Sequence, residues 1–349
     1  MIRKIIIEGF KCFHKRQSIP LSQINILYGK NGRGKSTIAQ SFLLLAQTMK
    51  ECNDVAELRL MGDLIELGTF DEVINVNAKS GKFYWAFQDD DNLVEFGFEK
   101  FPHKTQMAKL CKLLVNNENR FDVKTTSDKG TVSENKSVST TSDIMMLQNF
   151  KLLQYVSAGR LGPKNYSARK DSLEDNWLGV KGEYVINVLT NQGPSFQEKV
   201  CEVLSEILTG ATLEARPKDS DSVELFLDSV NNGNKFRPIN VGFGYSYVLP
   251  VIVAALLAKK GSILIVENPE AHLHPGAQSR LTKFLIENSM RNNIQLIIET
   301  HSDHVVNGLR IAMKQELSRL APNNAEIIFF SHDDVDTVSY THLTLPTIA

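Results

Sequence analysis

Apolar residues fall in short blocks along this chain, and each block ends in glycines or polar side chains. Residues 2–7 carry an aliphatic run, Glu8-Gly9 make a turn, and a second run reaches from 13 to 19. This reads as β structure leading into a third strand at 24–28. An apolar stretch at 38–46 then has helical spacing, within a helix over about 36–50. Strand-like pieces at 83–87 and 93–98 flank Asp89-Asp90-Asp91-Asn92, which predicts a hairpin with an acidic tip. Consecutive carboxylates in a turn are solvated, so no chemistry is assigned to them. From 116 to about 143 the chain turns to Asn, Ser, Thr, Lys, Asp and Glu. Such a segment buries too little apolar surface to offset its ordering entropy, and a disordered or mobile insertion is expected. No heptad repeat marks a coiled-coil arm.

Farther on, strands and helices alternate. A strand is expected at 152–156, a helix at about 195–209 and two or three strands between 211 and 240. Val241-Gly242-Phe243-Gly244-Tyr245-Ser246-Tyr247 then opens an apolar helix from Tyr247 to near Lys259. The apolar run 262–266 closes on Glu267, followed by Asn268-Pro269-Glu270-Ala271-His272-Leu273-His274-Pro275 and a helix. The same pattern returns at 294–300, which ends in Glu299-Thr300-His301-Ser302-Asp303-His304 with a helix behind it. Continuous apolar strands separated by helices imply a parallel sheet covered on both faces. Ligands of such sheets sit at the carboxyl ends of the strands, where these polar residues accumulate.

Composition narrows the class only a little. The chain has 349 residues, enough for one large α/β domain with an insertion or for two modest domains. A net charge of −1 gives no bulk attraction to nucleic acid, although a local basic patch is compatible with it. The four cysteines, Cys12, Cys52, Cys111 and Cys201, are far apart, so neither a disulfide framework nor a zinc knuckle is suggested, and a reducing cytoplasm is the expected compartment. The longest apolar run, 248–258, is about half a membrane span and contains Pro250; no membrane segment is expected.

The chemistry is concentrated in residues 24–37. Gly29-Lys30-Asn31-Gly32-Arg33-Gly34-Lys35-Ser36 fits GxxxxGK[ST] at every fixed position and lies between a strand and a helix, the context that gives the pattern meaning. Its glycines let backbone N–H groups face phosphate oxygens, the helix start adds partial positive charge, and Lys35 adds a full one. Ser36 is then a ligand for Mg²⁺. Glu267 is placed to hold the same Mg²⁺, usually through water. Glu270 could orient or deprotonate the attacking water, and His301 could donate to the γ-phosphate. The loop from Arg160 to Lys170 carries four bases and no acid. It reads either as a solvated loop or as one that contacts an anion.

In their order GKNGRGKST, GFGYS, ILIVENPEAHLHP and ETHSDH, these segments resemble the ABC-type ATPase head shared by SMC, RecF and OLD-like proteins. Within that class the chain is similar to the bacterial AAA family of predicted ATPases that end in a domain of unknown function and often occur in phage-defence loci. The resemblance covers about 1–330 apart from the polar insertion. It implies an α/β fold, a P-loop NTPase of ABC type, with a mixed sheet, helices on both faces and an antiparallel β subdomain near the N-terminus. It implies ATP and Mg²⁺ as cofactors, a Walker A motif at Gly29–Thr37 and a Walker B motif ending at Glu267. It also implies a signature-like segment at 242–246, with Gly244 and Ser246 contacting nucleotide, a D-loop-like turn at 272–275 and a switch histidine at His301. Three departures stand out. Asn268 occupies the place of the usual second Walker B glutamate, Tyr247 stands where relatives commonly show Gln, and no glutamine ends the strand 152–156, Gln154 lying inside it.

The divisions expected are an ATPase lobe at 1–88, an insertion at 89–150 and the second part of the head at 151–337. Residues 338–347, Val-Ser-Tyr-Thr-His-Leu-Thr-Leu-Pro-Thr, resemble a translated sequencing adapter, which makes 338–349 an expected assembly scar behind a truncated C-terminal domain. The function expected is ATP binding and hydrolysis that closes a homodimer and acts on a partner protein, such as a nuclease or other effector, or on nucleic acid. Two alternatives remain: a nucleotide-dependent sensor or scaffold that does not hydrolyse, and a metal-dependent hydrolase using His272, His274, His301, His304, Glu267 and Glu270.

Overall fold

The computed structural model describes residues 1–52, 54–119, 121–122, 137–138, 145–173, 177–315, 324–334 and 337–343. Most of the polar stretch expected to be disordered, and the end of the adapter-like tail, lie outside the described residues. In chain order the elements begin with β1 (Lys4–Glu8), β2 (Gln17–Pro20), β3 (Ile24–Gly29), α1 (Lys35–Cys52), β4 (Glu57–Arg59) and α2 (Phe70–Val73). There follow β5 (Lys82–Gln88), β6 (Leu93–Lys100), β7 (Met107–Val115), β8 (Glu118–Asn119), β9 (Phe121–Asp122), β10 (Ser137–Val138) and α3 (Met145–Lys151). Then come β11 (Gln154–Val156), β12 (Tyr166–Ala168), α4 (Val185–Gln192), α5 (Pro194–Ile207), β13 (Thr212–Pro217) and β14 (Ser222–Asp228). The chain continues with α6 (Phe243–Leu257), β15 (Ile263–Glu267), α7 (Pro275–Asn292), β16 (Gln295–Thr300), α8 (Asp303–Gln315), β17 (Ala325–Asp334) and β18 (Thr337–Leu343). Two compact units result, one of residues 1–22, 29–153 and 328–342, the other of 23–28, 154–327 and 343–349.

The first unit is built on an antiparallel sheet of order β2-β1-β5-β6-β7-β4, with β8 beside β7. Aromatic residues alternate along β5 and β6, so Phe83, Trp85, Phe87, Phe96 and Phe98 all enter the core. Phe10 meets Trp85 edge-on at 4.9 Å, and Phe42 of α1 lies 5.2 Å from Phe87 and 5.6 Å from Phe150. Such ring pairs add about 0.5–1.5 kcal/mol each beyond the area they bury. The predicted hairpin is β5–β6. Its turn is closed by Asp89 N–H donating to Asn92 O at 2.9 Å, with Asp89 Oδ1 accepting from Asp91 and Asn92 N–H and Asp90 paired with Arg3. Because Ile7 registers with Trp85, this hairpin belongs to the sheet of the N-terminal strands, and the sequence division between 88 and 89 falls inside it. Non-local antiparallel pairing leaves no mark in the local pattern from which that division was drawn.

Parallel strands in the order β11-β15-β16-β3 form the centre of the second unit. Val156, Val266, Ile298 and Ile26 register side by side, so the four strands end along one edge. Around them Leu204, Val251, Ile252, Leu285 and Ile286 are fully or almost fully buried. A smaller antiparallel sheet, β12-β14-β13, flanks this core sequence. Among the described residues no helix is long and apolar enough to cross a membrane.

Candidate functional site

The GKNGRGKS loop leaves β3 at Gly29, whose φ of +132° is open only to glycine; a Cβ there would come 2.4 Å from Phe330 O. Gly34, at φ +100°, is wedged so that a Cβ would lie 3.0 Å from Phe13 Cζ and 3.1 Å from Cys12 Sγ. Between them Lys30, Asn31 and Gly32 are exposed and Arg33 is half-buried. Lys35, the first residue of α1, is only 3% exposed, and its Nζ donates to Gly29 O at 2.8 Å and to Lys30 O at 2.6 Å. The ammonium is thereby held over the loop's own carbonyls. Ser36 is half-buried and Thr37 buried, its Oγ1 3.5 Å from Cys12 Sγ, while Lys11 Nζ donates to Gln40 Oε1 at 2.7 Å. Burial pushes the Cys12 thiol up and the Lys11 ammonium down from their ordinary values. Three cations and no acid in 29–37, with no acidic residue in the first turn of α1, make a donor set that fits a polyanion. Nothing in the sequence pointed to Lys11–Phe13 as the brace of this loop.

In the second unit the strand ends gather the other carboxylates. Glu267 registers with Glu299, and Glu299 with Leu27 of β3. Glu267 Oε2 accepts from Ala158 N–H at 3.1 Å. Burial, the Glu267 charge and a hydrogen bond to Glu267 hold the Tyr155 hydroxyl well above its ordinary range. Past Glu267 the chain turns sharply: Asn268 has φ +44° and its N–H donates to Glu299 O at 2.7 Å. Glu270 Oε1 accepts from His301 N–H at 3.1 Å, while Oε2 is buried without a protein partner. Glu267, Glu270 and His301 thus lie together at the carboxyl ends of β15 and β16.

Arg160 was missed. Of the four basic residues in its loop, Lys164, Arg169 and Lys170 are exposed, but Arg160 is 3% exposed. Its Nη1 donates to Ser157 O at 2.9 Å and Glu267 O at 2.7 Å, and Nη2 to Asn268 O at 2.5 Å. Composition alone made this a loop of either solvated or anion-contacting bases; the structure gives one of them to main-chain oxygens instead.

The segment at 242–246 differs from its expected form. The helix begins at Phe243 rather than Tyr247, so Gly242 is the N-cap and Gly244 and Ser246 lie in the first turns. Gly244 packs on the turn at 272, and Tyr247 lies over His272 with ring centres 4.3 Å apart. His274 Nδ1 accepts from Gly276 N–H at 3.3 Å as the N-cap of α7. These two histidines therefore serve packing and capping, and among the described residues no three His, Cys, Asp or Glu side chains form a group that could hold a metal ion. Near Gly242 the side chains of Phe236, Ile239 and Phe243 are 49%, 65% and 57% exposed, and a cavity of about 320 Å³ is lined by Ser229, Phe236, Asn240, Val241, Gly242 and Tyr245.

Two family models match the chain. The model described as "AAA ATPase domain" covers residues 1–174, and that described as "AAA domain, putative AbiEii toxin, Type IV TA system" covers 189–307. No curated protein matches. Among solved structures, an Smc head bound to the C-winged helix domain of ScpA is 17% identical at a TM-score of 0.58, covering 99% of this chain and 98% of that one. An Smc head domain with an extended coiled coil, bound to the C-terminal domain of ScpA and derived from Pyrococcus furiosus, is 14% identical at a TM-score of 0.58, covering 98% and 96%. At these identities the likeness carries the fold.

Proposed function

The chain carries AAA-family ATPase domains on the ABC-type P-loop NTPase fold of SMC heads, and we propose that it binds ATP with Mg²⁺ and hydrolyses it slowly. The observation that carries this reading is Lys35. A buried ammonium closed over the carbonyls of its own glycine-rich loop is ready to exchange them for phosphate oxygens. Gly29, Lys30, Asn31, Gly32, Arg33, Gly34, Lys35, Ser36 and Thr37 form the phosphate cradle, and Ser36 and Glu267 hold the metal. Mg²⁺, when bound, neutralises charge on the β- and γ-phosphate oxygens. Glu270 orients and deprotonates water; its unpartnered Oε2 supports that role. His301 contacts the γ-phosphate.

Gly244 and Ser246 meet the nucleotide of a second copy, and the exposed Phe236, Ile239 and Phe243 support a face that is covered when two copies close. The dimer acts in the cytoplasm on a protein effector. The matched family description, which names a toxin of a toxin–antitoxin system, and solved heads seen with a ScpA domain support a protein partner, and phage defence is the setting we propose. A second reading, a nucleotide sensor without hydrolysis, is favoured by Asn268, which puts an amide in left-handed backbone directly after Glu267.

The deciding experiment measures phosphate release from MgATP by the wild type and titrates it with a fluorescent ATP analogue. Binding with slow, Mg²⁺-dependent release is expected. Binding without release supports the sensor, and no binding rejects both readings.

A further inference from the structure

Arg160 has no part in the roles given so far. Its fork grips the carbonyls on both sides of Asn268, those of Glu267 and Asn268, along with that of Ser157. Asn268 holds a φ of +44°, in the left-handed region that asparagine enters more readily than other side chains. Two residues before Arg160, the Ala158 amide holds Glu267 Oε2. The loop is itself tied down, Ser157 N–H donating to Val180 O at 2.8 Å and Leu161 N–H to Lys181 O at 2.9 Å. It leaves the end of β11, the strand registered beside β15. One anchored loop therefore grips both the Glu267 carboxylate and the main chain that carries it.

A buried guanidinium is costly where packing alone is required, since an apolar side chain would fill the same space without desolvating a charge. A guanidinium stays protonated throughout the pH range in which proteins fold, so Arg160 is a buried cation.

We propose that Arg160 is a positioning residue which, with the Ala158 amide, fixes the turn from Glu267 to Glu270 and so the orientation of both carboxylates. This rests on the ATPase reading above. Outer residues that orient metal ligands and acid–base groups cost about tenfold to a hundredfold when removed.

The test compares the wild type, Arg160→Met and Arg160→Lys by calorimetric titration with a slowly hydrolysed ATP analogue, with and without Mg²⁺, and by phosphate release. Arg160→Met should bind the analogue without Mg²⁺ as the wild type does. It should lose about tenfold or more of the affinity gained on adding Mg²⁺, and a similar factor in turnover. Arg160→Lys, which keeps the charge and loses the fork, should fall between them. A purely structural role would lower the melting temperature and leave the Mg²⁺ gain intact. Equal Mg²⁺ gains in all three proteins, or a fully wild-type Arg160→Lys, would overturn the proposal; if Arg160→Met does not fold, Arg160→Lys decides alone. A wild type that binds no analogue under either condition defeats the ATPase reading instead.

Discussion

Gly244 meets His272 main chain to main chain: a Cβ added to the glycine would lie 2.8 Å from the carbonyl oxygen of the histidine. Gly244→Ala should therefore push the first turn of α6 off the turn at 272 and cost about 1–3 kcal/mol of stability, the usual range for overpacking. Urea denaturation measures this. A change below about 0.5 kcal/mol would mean that the turn yields freely.

Lys35→Ala should weaken nucleotide binding strongly, because the point charge that Nζ would bring to the phosphates is lost. A charge-assisted contact of about 2–3 kcal/mol corresponds to a loss of about thirtyfold or more in affinity. Wild-type affinity for a fluorescent ATP analogue would sink the phosphate-loop assignment.

Glu267→Gln and Glu270→Gln should part company. The first should weaken Mg²⁺-dependent binding; the second should retain binding and slow phosphate release by about a hundredfold or more. Turnover at the wild-type rate by Glu270→Gln would place the base elsewhere.

Ser246→Arg should keep ATP binding and block closure through bulk and charge. Light scattering should give a larger mass for the wild type with a slowly hydrolysed ATP analogue than with ADP, since only the γ-phosphate makes contacts peculiar to the closed state. A wild-type mass that ignores the analogue would reduce 242–246 to a helix start.

Glu95 sits between Arg16 and Lys112, with oxygens 2.8 and 2.5 Å from their nitrogens. Burial raises its carboxyl, but the two cations outweigh burial and bring it below the ordinary value of 4.5. The sign follows: the stabilisation is present above the unfolded value and fades as pH falls through the lower folded one. Glu95→Gln should cost about 1 kcal/mol near neutral pH, a difference that shrinks below about pH 4.5. Urea midpoints for both proteins at the two pH values check it; a constant difference would contradict the shift.

The phosphate-loop motif and the apolar strands ending in Glu267 and Thr300 were legible because each rule they obey is local: glycines at fixed spacing, or a buried run closed by a charge. Arg160 was not, because its partners are carbonyls more than a hundred residues away, reached only when β11 registers beside β15. The hairpin at 82–100 could be read from its own pattern, yet its place beside β1 could not. The early start of α6 was hidden by Gly242 and Gly244, which weaken any local case for helix; one serves as the cap and the other lies tight against residue 272.

The first unit gathers three separate stretches of chain, and the last to be synthesised is 328–342. The main chain of Phe330 fills the space where a side chain at 29 would sit, so the loop's seat is made from residues translated some three hundred positions apart. Every nascent chain that has not passed residue 330 displays the glycines and Lys35 without the strand that backs them. Whatever this loop binds, its seat is complete only after the strand that carries Phe330 has left the ribosome.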